Sequence, residues 1–338
     1  MRLTGRQTWV FQNNLFVNET ATVVGPKEAK GPLGKTFDFH FDDLYCGESS
    51  WEFAEQTLMK EAIERCLGKA GLKEEMIDLF VAGDLMNQNS TSNYTARMFK
   101  IPILCMYGAC STSMETVATA CALVDGGFAG RVIAATSSHY GAAEKQFRHP
   151  TGYGGQKPAT ATTTVTGAGA ALISKEESDI AITAATIGKV VDIGLKNPYD
   201  MGSAMAPAAA DTIKQHFRDL HRTPSDYDLI LTGDLSGVGS PRLKELLLED
   251  GYDIRHNHSD CGLLIFHPQQ KAFAGGSGCA CSAVVTYGYI FQQLKKGKFK
   301  RVLMVATGAL LNKTMIKLNE SIPAIAHGVV FERKLKKE

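Results

Sequence analysis

The sequence predicts an α/β fold built from two duplicated halves related by a pseudo-twofold axis, and three observations carry that prediction. Asp78-Leu79-Phe80-Val81-Ala82-Gly83-Asp84-Leu85 recurs 150 positions later as Asp228-Leu229-Ile230-Leu231-Thr232-Gly233-Asp234-Leu235, a shared D-L-x-x-x-G-D-L. An amphipathic helix precedes each copy: 54–70 with Leu58, Ala62, Ile63 and Leu67, and 208–220 with Ile213 and Phe217. Downstream, Ala109-Cys110-Ser111 is matched by Ala280-Cys281-Ser282, each followed by a helix and then a strand, at 131–136 and 301–306. A repeated order of helices and buried strands implies two α/β units, with mostly parallel sheets packed against helices. The halves are expected at 1–185 and 186–338.

Along the first half, Asp84 closes the buried strand and leads into Met86-Asn87-Gln88-Asn89. Carboxylates at that end of an open α/β sheet accept hydrogen bonds, hold cations or cap turns. The apolar run Ile101 to Tyr107 suits an edge strand, and Cys110 then stands at a helix start, because Met114, Val117, Ala118, Cys121 and Ala122 recur at helical spacing. Ser111 and Ser113 are candidates to cap that helix. Its free N-H groups and dipole favour either a thiolate at Cys110 or a bound carboxylate. Residues 140–161, punctuated by Gly and Pro, read as a long loop. Within and beside that loop, His139, Lys145, Arg148, His149 and Lys157 are candidates to complement a dianion. Thr166 to Ile173 reads as the closing strand of the half.

Residues 186–207, with Asn197-Pro198 and Met201 to Pro207, read as a link between halves. The group His256, His258, Asp260 and Cys261 fits no zinc spacing and is read as an exposed turn before a strand at 263–266. His327 sits among apolar runs, where a buried imidazole pairs with an anion when cationic or donates one hydrogen bond when neutral.

Composition narrows the function. Lys plus Arg number 36 against 35 Asp plus Glu, for a net charge of +1, so nucleic acid is not an expected partner. No apolar run has transmembrane length and the first residues lack a signal-peptide core, so a soluble protein without either is expected. Eight cysteines in a chain of 338 residues, several inside helices, point to a reducing compartment rather than a disulfide framework.

The Cys110 helix start, the 166–170 glycine strand, the duplication and the closing Ala326-His327-Gly328-Val329-Val330-Phe331 resemble the thiolase and ketoacyl synthase superfamily over nearly the whole chain. Within it, the stretches Leu3 to Phe11, Thr232 to Ser240 and Ala274 to Ala283 look most like the stage V sporulation AD family of spore-forming Firmicutes. The resemblance implies a thiolase-like fold. It also implies a protein of sporulation and germination that binds dipicolinic acid (pyridine-2,6-dicarboxylate), together with Ca²⁺, for uptake into the developing spore. Implied with it are peripheral attachment to the inner spore membrane, partner subunits of the stage V sporulation A membrane complex, and a homodimer. Asp84, Cys110 and His327 are the implied ligand-binding residues. No catalytic residue, protein-bound metal or cofactor is expected.

The histidine that ketoacyl synthases need after the second-half strand is missing from Thr232-Gly233-Asp234-Leu235-Ser236-Gly237-Val238. Gly275-Gly276-Ser277-Gly278-Cys279 likewise lacks the later Asn or His. Cysteine acyl transfer needs a proton carrier and an oxyanion site as well as a thiolate. Two other readings stay open at this point: an acyltransferase with Cys110 as nucleophile and His327 as base, and a scaffold subunit with a vestigial pocket.

Overall fold

The computed structural model describes residues 2–147 and 157–334. Its first half contributes β1 (Thr8–Val24), β2 (Leu79–Gly83), β3 (Ile103–Cys105), β4 (Arg131–Ser138) and β5 (Gly167–Ser174). The second contributes β6 (Ile180–Thr186), β7 (Leu229–Thr232), β8 (His258–Asp260), β9 (Arg301–Ala309) and β10 (Ala324–Arg333). In sheet order they run β3-β2-β4-β5-β1 and β8-β7-β9-β10-β6, the same permutation twice. The pairing pattern repeats too: the inner βαβ pairs are parallel, while β5 and β10 run antiparallel to both neighbours. The sheets are therefore mixed rather than mostly parallel, because the last strand of each half returns against the direction of the crossovers. Strand β6 spans the 185/186 division, and by strand order it is the first strand of the second half.

The halves join edge to edge through β1 and β6, which pair antiparallel from Thr8↔Thr186 to Val17↔Ile180. Between Val10 and Leu15 the register shifts. The loosened backbone there is held by Asp125, whose Oδ1 accepts from the amides of Gln12 and Asn13 at 3.1 and 2.8 Å. Such bonds satisfy groups that a broken ladder leaves unpaired.

Helices fill three layers around this sheet. Helix α1 (Trp51–Ala70) is capped by Ser50, whose side chain accepts from Phe53 N at 3.2 Å, and ends at left-handed Gly71. Its Leu58 and Ile63 pack on Phe80, Ile133 and Leu172 of the outer face of the first half. A short α2 (Ser90–Ala96) follows β2, and α3 (Thr112–Gly126) follows β3. Helix α4 (Tyr140–Phe147) occupies the start of the expected 140–161 loop: its first N-H groups are capped by the ring of the preceding residue, His139.

Helix α5 (Met201–Leu220) covers the outer face of the second half, with Ile213 and Phe217 against Ile230, Leu303 and Val330. It begins seven residues before the expected Ala208, turning the Met201–Pro207 link into helix. Asp200 caps it by accepting from Ser203 N at 3.1 Å, and Pro207 is tolerated inside. It packs beside α6 (Ser236–Glu249) where Gly202 and Gly239 meet: a Cβ on Gly239 would lie 2.6 Å from Gly202 O. The middle layer is α3 with α7 (Cys279–Val284), which continues through a π-helical stretch, Val285–Ile290, into Phe291–Lys295. Helix α3 reaches across to β9 and β10, and α7 to β4 and β5, so each central helix packs on the other half's strands. Their core joins Val81 and Val132 to Leu231 and Met304. The strand expected at 263–266 is instead a turn of helix, Cys261–Leu264, after strand β8.

Candidate functional site

The site grows from the turn before α3. Gly108 N donates to Thr112 Oγ1 at 2.9 Å and Ser111 Oγ donates to Gly108 O at 2.6 Å, which wraps the backbone tightly and sets Ala109 at φ 51°. A left-handed non-glycine residue costs about 1 kcal/mol or more. Gly308 of β9 receives this turn: a Cβ there would lie 2.2 Å from Gly108 O. Neither expected serine caps α3, since Ser111 turns back to Gly108 and Ser113 Oγ hydrogen-bonds Ser282 Oγ at 2.6 Å across the pseudo-twofold.

Cys110, at the end of that turn, faces the other half. Its thiol lies beside the carboxyl of Asp234, in the loop after β7. Asp234 also accepts from Thr307 Oγ1 at 2.7 Å and from Gly278 N at 3.0 Å, at the start of α7. Burial pushes the Asp234 carboxyl up to about 7 against these stabilising contacts. The same burial, with Asp234 beside it, holds the Cys110 thiol well above its ordinary range, although Gly278 N opposes this. Of the two alternatives the helix start offers, a thiolate or a bound carboxylate, this disfavours the thiolate, because desolvation outweighs the helix terminus. Cys279 lies beside it in one apolar cluster with Leu85 and Ala143, and donates to Ser137 O at 2.8 Å.

Cys110 opens on a cavity of about 210 Å³ between the halves. An engineered apolar cavity of about 150 Å³ accepts benzene, so this one has room for a substituted aromatic ring. Leu85, Phe147, Met201, Leu311 and Ile316 give it apolar walls, while Lys157, Lys313 and Lys317 bring positive charge to it. Lys157 has a side chain only 9% exposed and is ion-paired to Glu144, which also lines the space. Apolar walls with a few charged groups are what a small anionic aromatic ligand needs.

Of the three sequence-predicted ligand residues, Cys110 alone lines the cavity. Asp84 is fully buried and holds the following loop: its Oδ1 accepts from Met86 N at 2.8 Å, and its Oδ2 from Ser92 N at 2.8 Å and Ser92 Oγ at 2.6 Å. Its raised pKa follows from burial, and it stands near the buried Glu55. His327 lies opposite Ala306 in β10, three residues along the strand from the level of Ala309 at the cavity wall, or about 10 Å. Its Nδ1 accepts from Gly188 N at 3.3 Å, its Nε2 is buried without a partner among the described residues, and burial lowers its pKa to about 4. At neutral pH it is an uncharged imidazole.

Among the candidates for charge complementarity, Lys157 reaches the cavity, Lys145 pairs with Glu52 at 2.9 Å, and His139 is buried at the start of α4. Arg148 and His149 lie outside the described residues. Asp260 is no exposed turn residue: it is buried and ties the 235–236 loop through Leu235 N and Ser236 N, while His258 meets Thr232 Oγ1 at 3.0 Å. Among the described residues no group of three or more His, Cys, Asp or Glu is arranged to hold a metal ion. Sequence reasoning missed Asp234 as the partner of Cys110, though the repeat had flagged it, and it missed Lys313 and Lys317, which stand in a short helix, α8 (Lys313–Lys317).

Comparison with known proteins gives a family and a fold. The family model described as stage V sporulation protein AD matches residues 5–332. The chain is 66% identical over 333 residues to the stage V sporulation protein AD of Bacillus subtilis (strain 168), covering 98% of each. Its fold is that of human mitochondrial 3-ketoacyl-CoA thiolase (TM-score 0.60, 13% identity, 96% of this chain and 99% of that one). It is equally that of 3-oxoacyl-[acyl-carrier-protein] synthase III from Aquifex aeolicus (TM-score 0.55, 14% identity, 94% and 99%) and of Xanthomonas campestris OleA (TM-score 0.63, 12% identity, 96% and 99%).

Proposed function

Because this chain belongs to the stage V sporulation protein AD family, we propose that it is a non-catalytic sporulation protein whose cavity binds dipicolinic acid for uptake into the developing spore. The observation that carries this reading is the pairing of Cys110 with a buried carboxyl. A nucleophilic cysteine needs surroundings that favour its thiolate; here burial and the negative charge of an ionised Asp234 both disfavour it. In this reading the pyridine ring lies on Phe147, Leu85 and Leu311, and the two carboxylates meet the ammonium groups of Lys313, Lys317 and Lys157. The Cys110 thiol supplies a neutral polar contact. Asp84 and His327 act behind the wall: Asp84 holds the loop that carries Leu85, and His327 stays uncharged in β10 beside Gly188.

Calcium, where present, travels on the ligand's own carboxylates as cargo. Peripheral attachment to the inner spore membrane through other subunits of the stage V sporulation A complex is part of the proposal. No helix among the described residues is long and apolar enough to cross a membrane. A homodimer formed along the free edge of β3 completes it, since that edge exposes Leu104, Cys105 and Tyr107.

Calorimetric titration with dipicolinate, with and without Ca²⁺, tests the reading. Saturable binding is expected, with picolinate weaker by about tenfold or more for want of its second carboxylate contact. No heat with either form of dipicolinate at millimolar concentration, or a covalent acyl adduct on Cys110 that turns over with acyl-CoA, overturns it.

A further inference from the structure

We infer that His139 is a positioning residue for the cavity, holding α4 against it through a neutral ring that caps the helix. The inference rests on the reading of the cavity as a ligand site and adds a pH control to it. His139 follows β4 directly, and its carbonyl accepts the first helical bond of α4, from Ala143 N at 2.9 Å, which makes it the N-cap residue. Serine, threonine or aspartate normally supplies the capping oxygen. Here the ring does so: Nδ1 faces Gly141 N at 3.1 Å and Ala142 N at 3.4 Å, while Nε2 lies 2.7 Å from Leu44 O.

Two amide donors on one nitrogen and a carbonyl acceptor on the other are satisfied together by one species, the neutral imidazole with its proton on Nε2. The ring is fully buried and stacks on Trp51 with centroids 6.3 Å apart. Gly141 presses on the same indole, where a Cβ would come within 2.4 Å of a ring carbon, so the first turn of α4 has no freedom to shift sideways. What that turn fixes is the cavity wall: Ala143, Glu144 and Phe147 all line it.

A second proton would sit on Nδ1 and confront the two amide donors with a third. The charged groups acting on the ring are Glu52 from α1 and Lys145 from α4, which pair with each other at 2.9 Å. The loop at 44 presents only its carbonyl. Burial is the largest influence and keeps the ring neutral below the usual histidine range. Acidification through that lowered value therefore releases the cap and the wall, and lowers affinity for an anionic aromatic ligand.

The test compares wild type with His139→Asn and His139→Leu. Asparagine offers an acceptor oxygen to the same amides and has no proton to gain, whereas leucine offers nothing. Dipicolinate affinity is measured from about pH 7.5 to about pH 4.5; the wild type should lose about threefold or more beyond the loss in His139→Asn, a ratio that cancels the titration of the ligand and of Asp234. Equal pH slopes in the two proteins overturn the inference. Hydrogen exchange supplies a readout without ligand: the Gly141 and Ala142 amides should exchange faster in His139→Leu and be protected again in His139→Asn. Unchanged protection in the leucine variant also overturns it. Absence of dipicolinate binding by the wild type at about pH 7.5 would instead refute the reading of the cavity, and leave exchange to decide the role of His139.

Discussion

Replacing Asp234 by asparagine isolates the electrostatics of the site, because the residue is fully buried and titrates at about 7. In the unfolded chain the same carboxyl titrates near 3.9. Each pH unit between those values is worth 1.36 kcal/mol, so ionising Asp234 in place costs about 4 kcal/mol of stability relative to its neutral form. The sign follows from proton counting. Between the two values the folded protein holds a proton that the unfolded chain has lost. Stability from this group is complete below about pH 4, falls as pH rises, and levels off above about 7. Asparagine has no such dependence, yet its amide oxygen still accepts from Thr307 or Gly278 N. Urea unfolding at about pH 5 and pH 8 should therefore show the variant gaining about 3 kcal/mol on the wild type between the two conditions, whatever constant offset the substitution introduces. A gap that stays the same at both pH values would mean that Asp234 is ionised throughout, and the account of it as a protonatable acid beside the Cys110 thiol would fail.

Cys110→Ser should keep dipicolinate affinity within about threefold, since a hydroxyl still meets Asp234, whereas Cys110→Leu intrudes on the cavity and should lose about tenfold or more while staying folded; calorimetry with circular dichroism decides, and equal losses would contradict the proposed contact. Leu104→Glu on the exposed edge of β3 should convert the proposed dimer to a monomer in light scattering without lowering the melting temperature of the subunit by more than about 2 °C, because the side chain is 47% exposed.

The fold was legible in the sequence because duplication writes each element twice. One D-L-x-x-x-G-D-L would be an ambiguous apolar run, but two of them, each after a helix, fix the strand type and its place in the order. The site was legible at Cys110 and less so around it. Asp84 stands in the same half as Cys110, yet the twofold places the start of α3 against the loop after β7, so the thiol lies beside Asp234 instead. Proximity across a pseudosymmetry axis leaves no trace in linear distance. Lys313 and Lys317 escaped because α8, which follows β9 as α4 follows β4, shares no sequence motif with it, and nothing local marks a lysine in a five-residue helix as lining a cavity. Helix α4 escaped for a related reason: its cap is a histidine ring, outside the residue types that announce a helix start.

Strand β1 has a consequence for how the protein is made. It lies near the beginning of the chain, yet one of its edges is completed by β6, whose residues come about 170 positions later. At about 5–20 residues per second a ribosome needs on the order of ten seconds or more to supply that partner. During this interval a strand of 17 residues carries an open edge, the template that invites pairing with a neighbouring nascent chain. The amides of Arg6, Gln7 and Thr8 wait longer still, for the carboxylate of Asp219. The first half thus cannot complete itself before the second arrives, and a nascent chain halted near residue 174 should be a client for chaperones rather than a finished domain.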